Sequence, residues 1–139
     1  IDSLNKRIKF IKETCDVLDI KNVDAIHSRA EDIDRNKDYR EKFDICVSRA
    51  VANLASLSEY CLPLVKVGGS FVSYKSKGYE VEIAEAQKAI KVLGGETGNI
   101  EKFELGEYGE RILLDIKKIK STPNKYPRKA GLPTKEPIK

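Results

Sequence analysis

The stretch CLPLVKVGGSFVSYK, residues 61–75, decides the fold class. Its first half closes an apolar run in which Leu54, Leu57, Cys61, Leu62 and Val65 fall at helical spacing. Pro63 near the end of that run bends or stops a helix, and Gly68-Gly69 break it. SFVSYKS (70–76) then reads as a strand. Apolar helix, Gly-Gly turn and apolar strand closed by a polar residue make one repeating unit of a layered α/β sheet.

The same alternation extends in both directions. Upstream, FDICVSRAV (43–51) is a dense apolar run, as expected for a strand buried on both faces of a parallel sheet. AEDIDRNKDYREK (30–42) is polar, a loop with at most one helical turn, and NVDAIHS (22–28) alternates as a short strand does. Before it, Ser3 is placed to cap a helix on which Leu4, Ile8, Ile11, Cys15 and Leu18 share one face. Downstream, YEVEIAEAQKAIKVLGG (79–95) is a helix with a Gly-Gly stop. GNIEKFEL (98–105) and RILLDIKKI (111–119) are strands joined closely enough for a hairpin. The expected architecture is therefore a doubly wound α/β sheet ending in an antiparallel hairpin. Residues 1–120 form the body, and residues 121–139, with four of the five prolines, form an extended or looped tail.

Charge divides along the same line. The net charge is +4, yet Lys117–Lys139 holds eight Lys/Arg against one Glu, so the body before it is mildly acidic. A basic terminal segment either engages a polyanion or remains a solvated end that favours solubility. No apolar run approaches the ~20 residues of a membrane span. The three cysteines (Cys15, Cys46, Cys61) are odd in number and form no CxxC, which points to buried free thiols and a reducing cytoplasm. The single histidine, His27, has no Cys or second His nearby, so no metal site is expected.

In a doubly wound sheet, ligands bind outside the carboxyl ends of the strands. The residues there are Asp2-Ser3, Arg29-Ala30-Glu31, Ser48-Arg49-Ala50 and Lys75. Asp2 is either an acceptor for ribose hydroxyls or a first-turn acid beside the helix dipole. Ala30-Glu31 either admits an adenine edge or belongs to an ordinary acidic loop with Asp32 and Asp34. Arg49 follows the most apolar strand and must find a partner there, either Glu31 or Asp44, or a ligand.

The helix, Gly-Gly and strand succession of residues 61–75 is common in S-adenosylmethionine-dependent methyltransferases, although dehydrogenase-like domains mimic it. DSLNKR (2–7), SRAED (28–32), FDICVSRAVANL (43–54), SEYCLPLVKVGG (58–69) and TPNKYPRKAGLPTKEPI (122–138) occur in this order. Together they resemble the bacterial glucose-inhibited division protein B family, the 16S rRNA (guanine-N7) methyltransferases. The resemblance runs from Asp2 to Ile138, and SRAVANL and YPRKAGLPTKEPI are its most specific parts. It implies a class I, Rossmann-like methyltransferase fold, S-adenosylmethionine as cofactor, and 16S rRNA or the small ribosomal subunit as substrate. Carried over by position, it implies cofactor contacts at Asp2, Ser3, Ala30, Glu31 and Arg49. RNA contact is expected on charge grounds at Lys125, Arg128 and Lys129, with Lys75 at its strand end. Tyr126 either stacks on an unpaired base or packs the tail against the body.

One departure stands against these matches. All nine glycines lie at Gly68 or later, so the glycine-rich turn that wraps the cofactor in this family has no counterpart, and the first strand or strands of its sheet are expected to be missing. The absence of a His/Asp or Cys/His constellation does not argue against methyl transfer, because guanine N7 carries a free lone pair. The competing expectation is a non-catalytic, basic-tailed RNA-binding domain. A small dehydrogenase lacks support, since no GxGxxG follows a strand.

Overall fold

The computed structural model describes residues 1–49 and 52–139. Four strands, β1 (Phe43–Arg49), β2 (Val65–Lys75), β3 (Gly95–Glu104) and β4 (Glu110–Lys118), form one sheet in the order β1-β2-β4-β3. β1 and β2 are parallel, whereas β4 runs antiparallel to both β2 and β3. The helices are α1 (Asn5–Val17), α2 (Ala30–Ile33), α3 (Leu54–Cys61), α4 (Tyr79–Val92) and α5 (Leu132–Lys135).

Period-two patterning explains the sheet core. Ile112, Leu114 and Ile116 alternate along β4 and are all fully buried, as is Phe71 on the neighbouring strand β2. α3 and α4 cover that face with Leu54, Leu57, Ala86, Ala89 and Ile90. α3 starts where Asn53 caps it, its Oδ1 accepting the Ser56 amide at 2.9 Å. Truncating a buried leucine such as Leu114 to alanine costs about 2–5 kcal/mol, because the packed layers cannot close over the void.

Several local expectations are corrected. Gly68 and Gly69 do not break a helix but lie within β2. A Cβ on Gly69 would run into the backbone carbonyl of Asp44 on β1, so the close approach of the two strands requires glycine there. The expected strand at residues 22–28 is reduced to a single parallel bridge between Asp2 and His27. The strand expected over 43–51 covers Phe43–Arg49, and Ala50 and Val51 lie outside the described residues. It is not buried on both faces: Ile45 is 62% and Val47 60% exposed. The reason is the face they share: Ile45 and Val47 alternate on the side of β1 that lines a cavity, while Cys46 on the other side packs against the core. Ser3 does not cap α1; the Asp2 carboxylate instead accepts the Leu4 amide at 2.8 Å.

The C-terminal segment is neither free nor wholly extended. Residues Leu132–Lys135 form a helical turn after Gly131, whose φ of +81° suits glycine. The segment packs on α3, with Tyr126 and Ile138 against the main core. Three buried or half-buried arginine contacts hold its backbone. Arg35 donates to the Pro127 carbonyl at 2.8 Å, and Arg40 donates to the Tyr126 and Thr122 carbonyls at 2.9 Å each. Lys118 is fully buried and donates to the Leu62 carbonyl and the Thr122 hydroxyl, with Glu41 3.2 Å away.

Candidate functional site

The parallel bridge between Asp2 and His27 brings two chain turns together: the one entering α1 and the one entering α2. The Ser28 amide donates to the Asp2 carbonyl at 3.2 Å, and His27 Nε2 lies 3.0 Å from the Ser3 carbonyl. His27 thus ties these turns together. Across from them runs the edge strand β1. Between lies a cavity of about 730 Å³, whose lining includes Asp2, Ser3, Ala30, Glu31, Ile45 and Tyr60.

Four of the five residues expected around a cofactor therefore face one space. Asp2 carries two local bonds, from the Leu4 amide and, at 3.2 Å, from the Arg7 guanidinium. The Leu4 amide first, and Arg7 second, hold its carboxyl below the usual carboxylate range, so it is charged at neutral pH. Glu31 is 7% exposed, and its Oε1 accepts the Gly131 amide at 2.8 Å. Ala30 begins α2, where a small side chain leaves the cavity open. The fifth, Arg49, sits exposed at the carboxyl end of β1 and is not among the lining residues. Its exposure removes the reason for expecting an obligatory protein partner.

The remaining expected residues separate into two kinds. Lys125 and Lys129 are exposed. Arg128 and Lys75 have their charges met: Arg128 by Glu59 at 2.7 Å, Lys75 by Glu82 at 2.5 Å. Lys75 is only 10% exposed and joins the end of β2 to α4. Tyr126 is half-buried against the core.

Sequence reasoning missed Tyr60, Cys46, Cys61, Gly131 and Thr134, which also line the cavity. Nothing in local spacing links Tyr60 to Thr134, 74 residues later, although their hydroxyls lie 2.7 Å apart. Cys46 and Cys61 share a hydrogen bond in which the Cys46 thiol is lowered and the Cys61 thiol raised, the latter also by burial. Among the described residues no group of three or more His, Cys, Asp or Glu is arranged to hold a metal, and no helix is long and apolar enough to cross a membrane.

A family model described as rRNA small subunit methyltransferase G matches residues 1–113. The chain belongs to that family. The ribosomal RNA small subunit methyltransferase G of Alkaliphilus oremlandii is 55% identical, across all of this chain and 59% of its own length. That of Brevibacillus brevis is 52% identical, across 99% of this chain and 58% of its own. The chain therefore spans slightly less than three fifths of these relatives of the methyltransferase G family. The crystal structure of an rRNA methylase from Streptococcus thermophilus matches with a TM-score of 0.60 at 15% identity, covering 86% of this chain and 71% of that one. At that identity the likeness speaks for the fold alone: a Rossmann-like α/β sheet of the methyltransferase class, with a C-terminal antiparallel pair.

Proposed function

We propose that this chain contributes to an enzyme that methylates N7 of a guanine in bacterial 16S rRNA, with S-adenosylmethionine held in the cavity beside β1. The observation that carries this reading is the convergence of Asp2, Ser3, Ala30 and Glu31 on one cavity in a chain of the methyltransferase G family. A volume of about 730 Å³ lies within the usual range of small-molecule sites. The lining suits a nucleoside. Two carboxylates, Asp2 and Glu31, accept hydrogen bonds from ribose hydroxyls or an adenine amino group, and Ile45, Val47 and Leu57 offer an apolar wall to a purine ring. When bound, S-adenosylmethionine supplies an electrophilic methyl group on a sulfonium.

The chain's own tasks in such a transfer are binding and orientation. Guanine N7 has a free lone pair and no proton at neutral pH, so no general base has to expose the nucleophile. Asp2 and Glu31 fix the nucleoside, and the apolar wall keeps water from that side of the site. Arg49, exposed where β1 ends, suits an anionic or carbonyl group, such as a carboxylate or guanine O6; a sulfonium would repel it. On the RNA side, Lys125 and Lys129 are free to meet phosphates, while Tyr126 and Arg128 hold the segment that presents them. Lys75 is paired with Glu82, so a phosphate would have to compete with that carboxylate for it. The cysteines are free thiols, which fits work in a reducing cytoplasm.

The test uses a full-length family member carrying these 139 residues. It is titrated with S-adenosylmethionine by calorimetry and then incubated with labelled donor and small-subunit rRNA. Cofactor binding and label on guanine N7 are expected. No cofactor binding would remove the methyltransferase reading; rRNA binding without transfer would favour the non-catalytic alternative.

A further inference from the structure

The cavity has a wall from the far end of the chain. Gly131 and Thr134 line it beside Glu31 and Tyr60. Each of these two late residues is held by a cavity residue: the Gly131 amide donates to Glu31 Oε1 at 2.8 Å, and the Thr134 and Tyr60 hydroxyls are 2.7 Å apart. Between them the Ser56 hydroxyl donates to the Pro133 carbonyl at 2.7 Å. Two of the groups that anchor the segment, Glu31 and Tyr60, are thus groups a ligand would touch.

Glu31 is the pivot. A carboxylate offers about four acceptor positions, and the Gly131 amide takes one on Oε1. A nearly buried carboxylate with one donor gains from a second, because charge-assisted bonds strengthen where water is scarce. Withdrawing residues 131–134 would take away that amide, release Tyr60 and open one side of the cavity to water. Ligand and segment then share the same carboxylate and the same enclosure.

We infer that residues 131–134 are a coupled wall of the ligand site, and that a bound nucleoside-type ligand and the docked C-terminal segment stabilise each other through Glu31 and Tyr60. This rests on the reading of the cavity as the S-adenosylmethionine site. Coupling of this kind is reciprocal: what loosens the segment weakens the ligand by the same factor that the ligand tightens the segment. The segment also continues from exposed Lys125 and Lys129. A polyanion engaged there would therefore act on ligand affinity through a short, clamped stretch of chain.

The experiment is amide hydrogen exchange on a full-length family member carrying these residues, with and without S-adenosylmethionine, and with cofactor binding measured separately by calorimetry. Bound cofactor is expected to slow exchange across 130–136 about tenfold, equivalent to about 1.4 kcal/mol of added protection. Thr134→Val and Tyr60→Phe should each weaken cofactor binding several-fold, and the double variant should be no worse than the weaker single one, since one contact is shared. Cofactor binding with unchanged exchange at 130–136 would overturn the coupling and leave the cavity's assignment standing. No binding at all would overturn the assignment itself, and the coupling with it. If either variant fails to fold, exchange on the unsubstituted protein decides.

Discussion

Arg128 encloses the carboxylate of Glu59. Its Nε lies 3.0 Å from Oε1 and 3.1 Å from Oε2, its Nη2 lies 2.7 Å from Oε2, and its backbone amide donates to Oε1 at 2.7 Å. Glu59 is fully buried on α3, whereas Arg128 belongs to the C-terminal segment and is 24% exposed. Bonding to Glu59 holds the guanidinium above its already high ordinary pKa, so Arg128 stays charged at any working pH.

Arg128→Ala leaves Glu59 buried without a countercharge. A loss of about 3–5 kcal/mol in unfolding free energy is expected. Glu59→Gln with Arg128 retained should cost less, because the partly exposed arginine turns to solvent. Urea unfolding of the three proteins measures both, and an Arg128→Ala midpoint equal to wild type would show that the pair does not hold the segment.

Asp34 is fully buried at the end of α2, and neither side-chain oxygen has a hydrogen-bond partner among the described residues. Burial, then the neighbouring Cys46, push its carboxyl up to about 9. Between the ordinary carboxylate value and about 9, the folded chain holds a proton that the unfolded chain releases. Stability from this group is fully present below that ordinary value and falls as pH rises toward 9, by about 1 kcal/mol per pH unit. Asp34→Asn should remove this slope and stabilise the protein most at alkaline pH. Denaturant midpoints at several pH values read it directly, and an unchanged slope would mean Asp34 is ionised beside Arg40 and Lys118.

Lys118 supplies the buried cation that closes β4 onto the C-terminal segment, through Leu62, Thr122 and Glu41. Burial lowers its pKa, and Glu41 opposes that shift. Lys118→Ala is expected to cost about 3–5 kcal/mol. Thr122→Val should cost about 1–3 kcal/mol, since the hydroxyl also donates to the Leu93 carbonyl at 2.7 Å. Thermal melts rank the two, and the reverse order would put the weight of this junction on Thr122.

Lys125→Ala with Lys129→Ala, in a full-length protein, should weaken rRNA binding at low salt. The slope of log affinity against log salt should flatten by roughly one to two. Folding should be unaffected, as both side chains are exposed. An unchanged slope would assign the segment to packing alone.

Arg49→Ala in the same protein should reduce cofactor affinity or turnover without loss of stability, because the residue is exposed at the end of β1. Calorimetry and methyl transfer separate the two effects, and wild-type values in both would remove Arg49 from the site.

The sequence by itself determined the elements whose patterning is local. The helix over 79–95, the strand at RILLDIKKI and the close hairpin joining it to the strand before are all written in local pattern, and all are found. The strand-end rule picked out Asp2, Ser3, Ala30 and Glu31, which line one cavity, and equally Arg49 and Lys75, which do not. Tertiary structure alone decided the rest. Gly68-Gly69 read as a break but lie within β2, and Gly69 is required by the close approach of the Asp44 carbonyl on β1, remote in sequence. The basic, proline-rich end read as a separate tail. It is instead clamped to the body by Arg40, Glu59 and Glu31, whose partners lie 69 to 100 positions away along the chain. Spacing carries no information about such contacts. They arise because buried carboxylates and guanidinium groups must find partners wherever folding brings them.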